Sequence, residues 1–292
     1  MKPASQVGFI GVGNMGGAMA ANLLAKGWQV SVADIDAEKV ASLKRFGAEA
    51  LDTRAQAAPY LIATVVCVVD AAQTETVLFG ADGLAGRWQP GQFVLLCPTL
   101  APHDVESFAA RLAARGVTML DAPMSGGPVR ARDGAMTLMV AGDRAAYERV
   151  LPLLEALASP VFYISDKPGD AARTKLVNNL LAGINLVGAA EALALAERLG
   201  LDSATTLGVI EQSSGQSWIG SDRMHRAIAG DFAPRAHMTL LEKDTRLALA
   251  AAAQAGFAGP LGASASAVFA QASKSGLADE DDGALLKFLR MR

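Results

Sequence analysis

Gly11-Val12-Gly13-Asn14-Met15-Gly16 follows the apolar run Val7-Gly8-Phe9-Ile10 and leads into Gly17 to Ala25, a segment rich in Ala, Met and Leu. The run before the glycines reads as a buried strand and the segment after them as a helix. Trp28-Gln29-Val30-Ser31-Val32-Ala33 then reads as a second strand, ending at Asp34. In such a β-α-β unit Gly11 permits the tight turn, Gly13 lets backbone approach a diphosphate, and Gly16 lets helix and strand pack closely. Unpaired N–H groups and the positive end of the helix dipole hold the anion. The spacing alone is weak evidence; strand, helix, second strand and terminal acid together point to a dinucleotide site.

Asp34 bears on the choice of dinucleotide. A carboxylate there accepts hydrogen bonds from a ribose 2′-hydroxyl and repels a 2′-phosphate, so NAD is expected, and Lys39 leaves NADP open. The competing reading makes Asp34 a helix cap, although Asp36, just before Ala37-Glu38-Lys39, is the better cap.

Composition narrows the classes. The chain has 292 residues, enough for two domains. Its 26 basic and 29 acidic residues give a net charge of −3, and with only 5% aromatics no basic or base-stacking nucleic-acid surface is expected. Cys67 and Cys97 fit reduced core thiols, and His103, His225 and His237 form no ligand or triad pattern, so no metal is expected. Residues 1–6 are too short for an export signal core, the run Leu61 to Val69 is strand-length, and no membrane partner is expected. The expected compartment is the cytoplasm.

Strand and helix signals alternate through the first half: strands at 61–69, 93–96, 118–122, 136–141 and 161–164, with helices at 71–78, 102–115 and 144–157. The expectation is a mostly parallel sheet covered by helices on both faces. Strand signals then stop. Ala171 to Leu199 reads as one helix, followed by helices at 203–211, 218–229, 238–255, 261–275 and 283–290. The expected domains are 1–165, dinucleotide-binding, and 166–292, all-helical and opened by the long helix. Leu176, Leu180, Leu181, Ile184, Leu186, Val187, Leu193 and Leu195 cover most of that helix's circumference. So much apolar surface predicts a homodimer or homotetramer through the helical domain.

Three motifs sit where these halves meet. Asp121-Ala122-Pro123-Met124-Ser125-Gly126-Gly127 ends a strand in a turn whose N–H groups and serine hydroxyl can hold a carboxylate, though most glycine turns only turn. Lys175 and Asn179, four residues apart, project from one helix face among Leu176, Val177, Leu180 and Leu181, either as a buried polar pair or as the polar edge of an amphipathic face. Lys243-Asp244 interrupts an apolar helical segment, beside Glu242 and Arg246 as surface charges.

With Gly134-Ala135-Met136-Thr137-Leu138-Met139, these pieces span nearly the whole chain, and the set resembles the β-hydroxyacid dehydrogenase family. The resemblance implies an N-terminal Rossmann-type, doubly wound sheet followed by an all-α C-terminal domain, joined through the long helix. It implies an NAD(P)-dependent dehydrogenase acting on a small hydroxy acid. By matched position, Lys175 would exchange a proton with the substrate hydroxyl, Ser125, Gly126 and Gly127 would hold its carboxylate, and Asn179 would hydrogen-bond it. Gly11, Gly13, Asn14, Met15, Gly16, Asp34 and Thr99 would line the cofactor, and Lys243 would close over it. A buried lysine suits proton transfer near neutral pH, and hydride chemistry belongs to the cofactor.

Some positions depart from the family pattern: Cys97-Pro98-Thr99 replaces a serine-rich stretch, Ala171 replaces a glycine, and Val68-Val69-Asp70 replaces a Leu-Pro pair. Ser213-Ser214-Gly215-Gln216-Ser217-Trp218, Arg223-Met224 and Asp281-Asp282-Gly283-Ala284 with Lys287 look most like the threonate dehydrogenase branch, which oxidises a four-carbon sugar acid at the 2-hydroxyl. Ser213, Ser214 and Gln216 would meet its hydroxyls, unless the stretch only breaks a helix. The enzymatic alternatives are 3-hydroxyisobutyrate dehydrogenase and tartronate semialdehyde reductase. From other classes, an imine reductase or a non-catalytic dinucleotide-binding protein would be expected to lack Lys175.

Overall fold

The computed structural model describes residues 6–51 and 61–291; residues 1–5, where the export-signal expectation falls, lie outside them. The chain divides into two compact units, Met1–Lys175 and Leu176–Arg292.

The first unit opens with β1 (Gln6–Ile10), α1 (Asn14–Ala25), β2 (Gln29–Ala33), α2 (Ala37–Lys44) and β3 (Glu49–Ala50). It continues with β4 (Leu61–Val66), α3 (Ala71–Phe79), β5 (Phe93–Leu96), α4 (Pro102–Ala113) and β6 (Thr118–Asp121). The last part holds β7 (Met124–Ser125), α5 (Gly127–Arg132), β8 (Met136–Ala141), α6 (Arg144–Leu157) and β9 (Ala158–Ser165). Strand order is β3-β2-β1-β4-β5-β6-β8-β7, with β9 paired to β8. From β3 to β6 every pairing is parallel, and β8 then runs antiparallel to both β6 and β7. The chain winds outward from β1 through β2 to β3, then crosses back to β4, so strand order reverses between β1 and β4. That reversal opens a crevice at the carboxyl ends of the strands, where ligands bind in such sheets.

Both faces of the sheet are apolar, which is why the strand runs read as continuous rather than alternating. One face packs Val7, Phe9, Val30 and Val65 against Met19 and Leu23 of α1 and Leu153 and Leu154 of α6. The other packs Ile10, Val66 and Leu96 against Leu78 of α3 and Phe108 and Leu112 of α4.

The long helix α7 (Asp170–Arg198) is followed by α8 (Ser203–Glu211), α9 (Trp218–Ile228), α10 (Met238–Gln254), α11 (Pro260–Ala272) and α12 (Leu285–Arg290). Leu186, Ala190 and Leu193 of α7 form a core with Leu241 of α10, Phe269 of α11 and Leu285. Alpha helix α7 and α10 pack closely at Gly183, where a Cβ would lie 2.7 Å from Thr245 Cγ2. The division between the units falls inside α7 because its first turn packs on the sheet: Ala172 joins the Phe108 core, and Ala171 packs with Met139 and Ala141.

Three elements escaped the sequence pattern. Strands β3 and β7 have two residues each, too few for any periodicity, and α5 is a six-residue helix opened by Gly127-Pro128. Helix α1 starts at Asn14 rather than Gly17, because its first turn is built from the glycine motif itself. By length and composition alone α7 is long and apolar enough to cross a membrane, which the expectation drawn from residues 61–69 passed over. Ala172 of this helix packs into one core and Leu186, Ala190 and Leu193 into another, while Val177, Leu181 and Leu195 stand exposed.

Candidate active site

The glycine loop leaves β1 and enters α1 with no side chain capping the helix at Gly13. A helix start with no side-chain cap suits an anion. The glycines divide the work as their chemistry requires. Gly11 has φ +86°, and a Cβ there would lie 2.6 Å from the Cys67 carbonyl oxygen; at Gly16 it would lie 2.1 Å from Gly11 O. A Cβ at Gly13 would meet nothing within 4 Å. Gly11 and Gly16 are therefore required by the protein's own packing, whereas Gly13 borders open space that a diphosphate can fill. Asn14 is exposed and Met15 half-buried beside it.

Asp34 braces this loop. Its Oδ2 accepts from Val12 N–H at 2.7 Å and its Oδ1 from Asp36 N–H at 2.9 Å. Each oxygen keeps a second lone pair for a ribose hydroxyl, so the brace and a sugar contact are compatible. The cap of α2 is Asp36, which accepts from Glu38 N–H, and Lys39 sits 3.4 Å from Asp36 on the surface. Ile35, beside Asp34, is fully exposed and Val69, past the end of β4, half exposed. Two apolar side chains in water at the ends of β2 and β4 suit the flat face of an adenine, and Ile35 carried no sequence signal. The dinucleotide therefore fits this loop on geometry and on charge.

Cys67 and Cys97 lie beneath this loop as free thiols, against the α1 face of the sheet. Burial pushes the Cys67 thiol up to about 12 and the Cys97 thiol well above its ordinary range, so both are inert at neutral pH. Among the described residues no three His, Cys, Asp or Glu side chains gather as metal ligands.

Ser125, Gly126 and Gly127 lie at the end of β7 and the start of α5, with Gly126 at φ +128° and Gly127 at φ +74°. This backbone turns sharply and leaves all three residues part-exposed. Lys175 is 7% exposed on the first turns of α7. Thr99, past β5, is half-buried.

Asn179 is also buried, one turn beyond Lys175 on the same helix. Its Nδ2 donates to Asp244 Oδ2 at 2.6 Å, and its Oδ1 accepts from Asn178 Nδ2 at 2.9 Å. Asp244 also pairs with Lys243, Nζ to Oδ1 at 2.8 Å. One buried carboxylate of α10 thus orients both Asn179 and Lys243. The residue pattern offered Lys243-Asp244 as a charge pair in an apolar helix, and the family resemblance gave Lys243 a place over the cofactor. The link to Asn179 spans 65 residues and appears only in the folded chain.

A second side-chain set found from the sequence has a different part. Ser213, Ser214 and Gln216 sit exposed in the turn between α8 and α9, and Ser217 caps α9 by accepting from Gly220 N–H. Arg223 Nε lies 2.5 Å from Asp282 Oδ1, and Arg226 Nη1 lies 3.0 Å from Asp281 Oδ1. These ion pairs fasten the segment before α12 onto α9, with Asp281 almost wholly buried and also accepting from the backbone of Arg235 and Ala236.

Comparison with known proteins agrees with this arrangement. Residues 6–165 match the NAD binding domain of 6-phosphogluconate dehydrogenase, and residues 169–289 match the NAD-binding domain of NADP-dependent 3-hydroxyisobutyrate dehydrogenase. An L-threonate dehydrogenase of Escherichia coli (strain CFT073) is 38% identical over 290 residues, covering 98% of this chain and 96% of that protein. A 3-hydroxyisobutyrate dehydrogenase of Pseudomonas aeruginosa is 36% identical, covering 91% of each. The crystal structure of a 3-hydroxyisobutyrate dehydrogenase from Salmonella typhimurium superposes with a TM-score of 0.91 at 38% identity, covering 97% of this chain and 99% of that one. Fold, glycine loop and near-full-length similarity thus converge: the chain belongs to the 3-hydroxyisobutyrate dehydrogenase-like family of β-hydroxyacid dehydrogenases, enzymes that use a nicotinamide dinucleotide.

Proposed function

We propose that this enzyme oxidises a small hydroxy acid with NAD, that its substrate is a four-carbon sugar acid of the threonate type, and that Lys175 moves the proton. The observation that carries the reading is the burial of Lys175 in the same unit as the open glycine loop and the Ser125-Gly126-Gly127 turn. A lysine amine buried on a rigid helix suits a proton-transfer group better than a surface charge. The bound nicotinamide supplies the hydride acceptor.

Lys175 Nζ, in its neutral form, takes the hydroxyl proton as the carbon–hydrogen bond breaks. The Ser125 hydroxyl and the Gly126 and Gly127 N–H groups bind the substrate carboxylate. Asn179 spends one N–H on Asp244 and keeps the other for a substrate oxygen. Gly11, Gly13, Asn14, Met15, Gly16 and Thr99 are the cofactor residues, with Asp34 favouring NAD over NADP by charge. Lys243, held by the same carboxylate as Asn179, is the helical unit's cofactor residue.

The identity to L-threonate dehydrogenases favours threonate, and the similarity to 3-hydroxyisobutyrate dehydrogenases favours that acid as the second reading. We draw the functional domains as 1–165 and 166–292, with the cytoplasm as the compartment. We also propose a homodimer or homotetramer built on the helical domain. Only 39% of the most apolar stretch of α7 is buried, and Val177, Leu181 and Leu195 stand exposed along it. Light scattering at micromolar concentration tests the assembly, and a fully active monomer would refute it.

The activity test offers threonate and 3-hydroxyisobutyrate with NAD and with NADP, and follows nicotinamide reduction by absorbance. Lys175→Ala is expected to lower turnover by about a hundredfold or more while NAD still binds. Near wild-type turnover in that variant would end the assignment.

A further inference from the structure

Helix α7 lacks a local cap. The residue before it is Gly169, which has no side chain, and Asp170 turns its own carboxylate outward to Ser165 Oγ and Arg173. The first-turn N–H groups are served from another element. Asp121, the last residue of β6 and 1% exposed, places Oδ2 3.0 Å from Gly169 N and 2.8 Å from Ala172 N, each N–H donating to it. Gly169 has φ +96°, a left-handed conformation open to glycine, at the entry to α7.

A local cap would satisfy these donors but would move with the helix. A carboxyl on a strand satisfies them and also fixes the helix against the sheet. Asp121 is well placed for that duty: its backbone is held in the sheet on both sides, opposite Leu96 of β5 and Ala141 of β8. Four residues along the chain lies Ser125, and Lys175 is three residues past Ala172, about 4.5 Å along the axis of a regular helix. The polar links on the outside of this turn, from Arg173 to Glu106 and Asp170, are half exposed and hold it weakly by comparison.

We propose that Asp121 is a positioning residue, whose carboxyl ties the strand leading to the Ser125-Gly126-Gly127 turn to the first turn of α7 and so sets the Lys175 Nζ at its working distance from the substrate hydroxyl. This rests on the reading of Lys175 given above. Burial pushes the Asp121 carboxyl up to about 7 against the opposing pull of the Ala172, Gly169 and Ala171 N–H groups. A neutral side chain with the same acceptor oxygen is therefore compatible with the site. Because a single oxygen takes both N–H groups, the Oδ1 of an asparagine can replace it.

The test compares Asp121→Ala, Asp121→Asn and Lys175→Ala in the full chain, with threonate and NAD. Asp121→Ala is expected to lower kcat about tenfold or more, since misplacing a catalytic group by about 1 Å costs up to about a hundredfold, while KM for threonate and the Kd for NAD stay within about threefold. Asp121→Asn is expected to restore kcat to within about threefold of the parent. Where the alanine variant does not fold, Asp121→Ser, which keeps one short acceptor and fills part of the space, is read in its place. A folded Ala or Ser variant with parental kcat overturns the proposal, as does an Asn variant as impaired as the Ala one, or a loss confined to KM or Kd. Parental activity in Lys175→Ala instead overturns the underlying reading of the site, and this proposal with it.

Discussion

The two units hold their candidate residues by different means. In the first, backbone does most of the work: Gly11, Gly13 and Gly16 shape a loop and a bare helix end, and Gly126 and Gly127 shape a second turn. In the second, side chains do it: Asp244 reaches Asn179 across 65 residues and holds Lys243 at the same time. A site made of backbone is written in adjacent residues, because only glycine allows such turns and close approaches. A site made of side chains joins positions that only packing brings together.

The contrast can be broken most directly at Asp244. Removing the carboxylate takes away the acceptor of Asn179 Nδ2 and the ion-pair partner that Lys243 meets at 2.8 Å in a largely buried place. Asp244→Ala is expected to cost about 2–3 kcal/mol in urea unfolding, toward the low end for a broken buried pair because Lys243 is partly exposed, and to lower kcat/KM with it. Unchanged stability and unchanged kcat/KM would show that the helical unit does not depend on this network.

The glycines sharpen the other side. Gly16→Ala forces a side chain against Gly11 O and is expected to cost about 1–3 kcal/mol in stability, with weaker NAD binding as the loop shifts. Gly13→Ala meets no protein atom, so stability is expected to hold while NAD affinity falls. Calorimetric titration with NAD beside thermal melts separates the two. Equal stability losses in both variants would mean that Gly13 serves packing and not the diphosphate.

Asp34 is the side chain proposed to favour NAD over NADP in the first unit. Asp34→Ala is expected to shift the ratio of kcat/KM for NAD over NADP by about tenfold toward NADP, through lost repulsion and a lost ribose contact. An unchanged ratio would leave Asp34 as a brace for the Val12 N–H alone.

The smallest effect concerns pH. Folding raises the Asp121 pKa from its ordinary value of 3.8 to about 7, through burial and the nearby Asp170 charge. The folded protein then keeps a proton that the unfolded chain releases near pH 4. The stability this gives is full at low pH and is lost as pH rises through about 7. Asp121→Asn carries no such loss, so its melting temperature should gain on the parent's between pH 5 and pH 8. A constant gap across that range would show that the Asp121 carboxyl does not titrate there.

Asp121 also marks where sequence reading stops. The turn after it and the helix carrying Lys175 were both legible, the first from Ser125-Gly126-Gly127 and the second from a proline-free apolar stretch, and family resemblance assigned roles to both. That β6 caps α7 was not legible, because Gly169 and Ala172 lie 48 and 51 residues away and donate only backbone N–H groups. Ile35 reads as one more apolar residue and is marked only by its exposure. Arg223 and Asp281-Asp282 were read as one branch's likeness, and the buried ion pairs of Arg223 with Asp282 and of Arg226 with Asp281 are products of folding.

The sequence by itself determined the doubly wound sheet, the helical unit, the dinucleotide loop and the family. These rest on hydrophobic period, glycine placement and short motifs, all of which act through neighbours in the chain. Only the tertiary structure decided which carboxylate orients Asn179, which one anchors the helix of Lys175, and which glycines serve packing rather than the diphosphate. Those outcomes depend on distances between residues far apart in sequence. Such distances are set by the summed packing of the core and by no local stretch of chain.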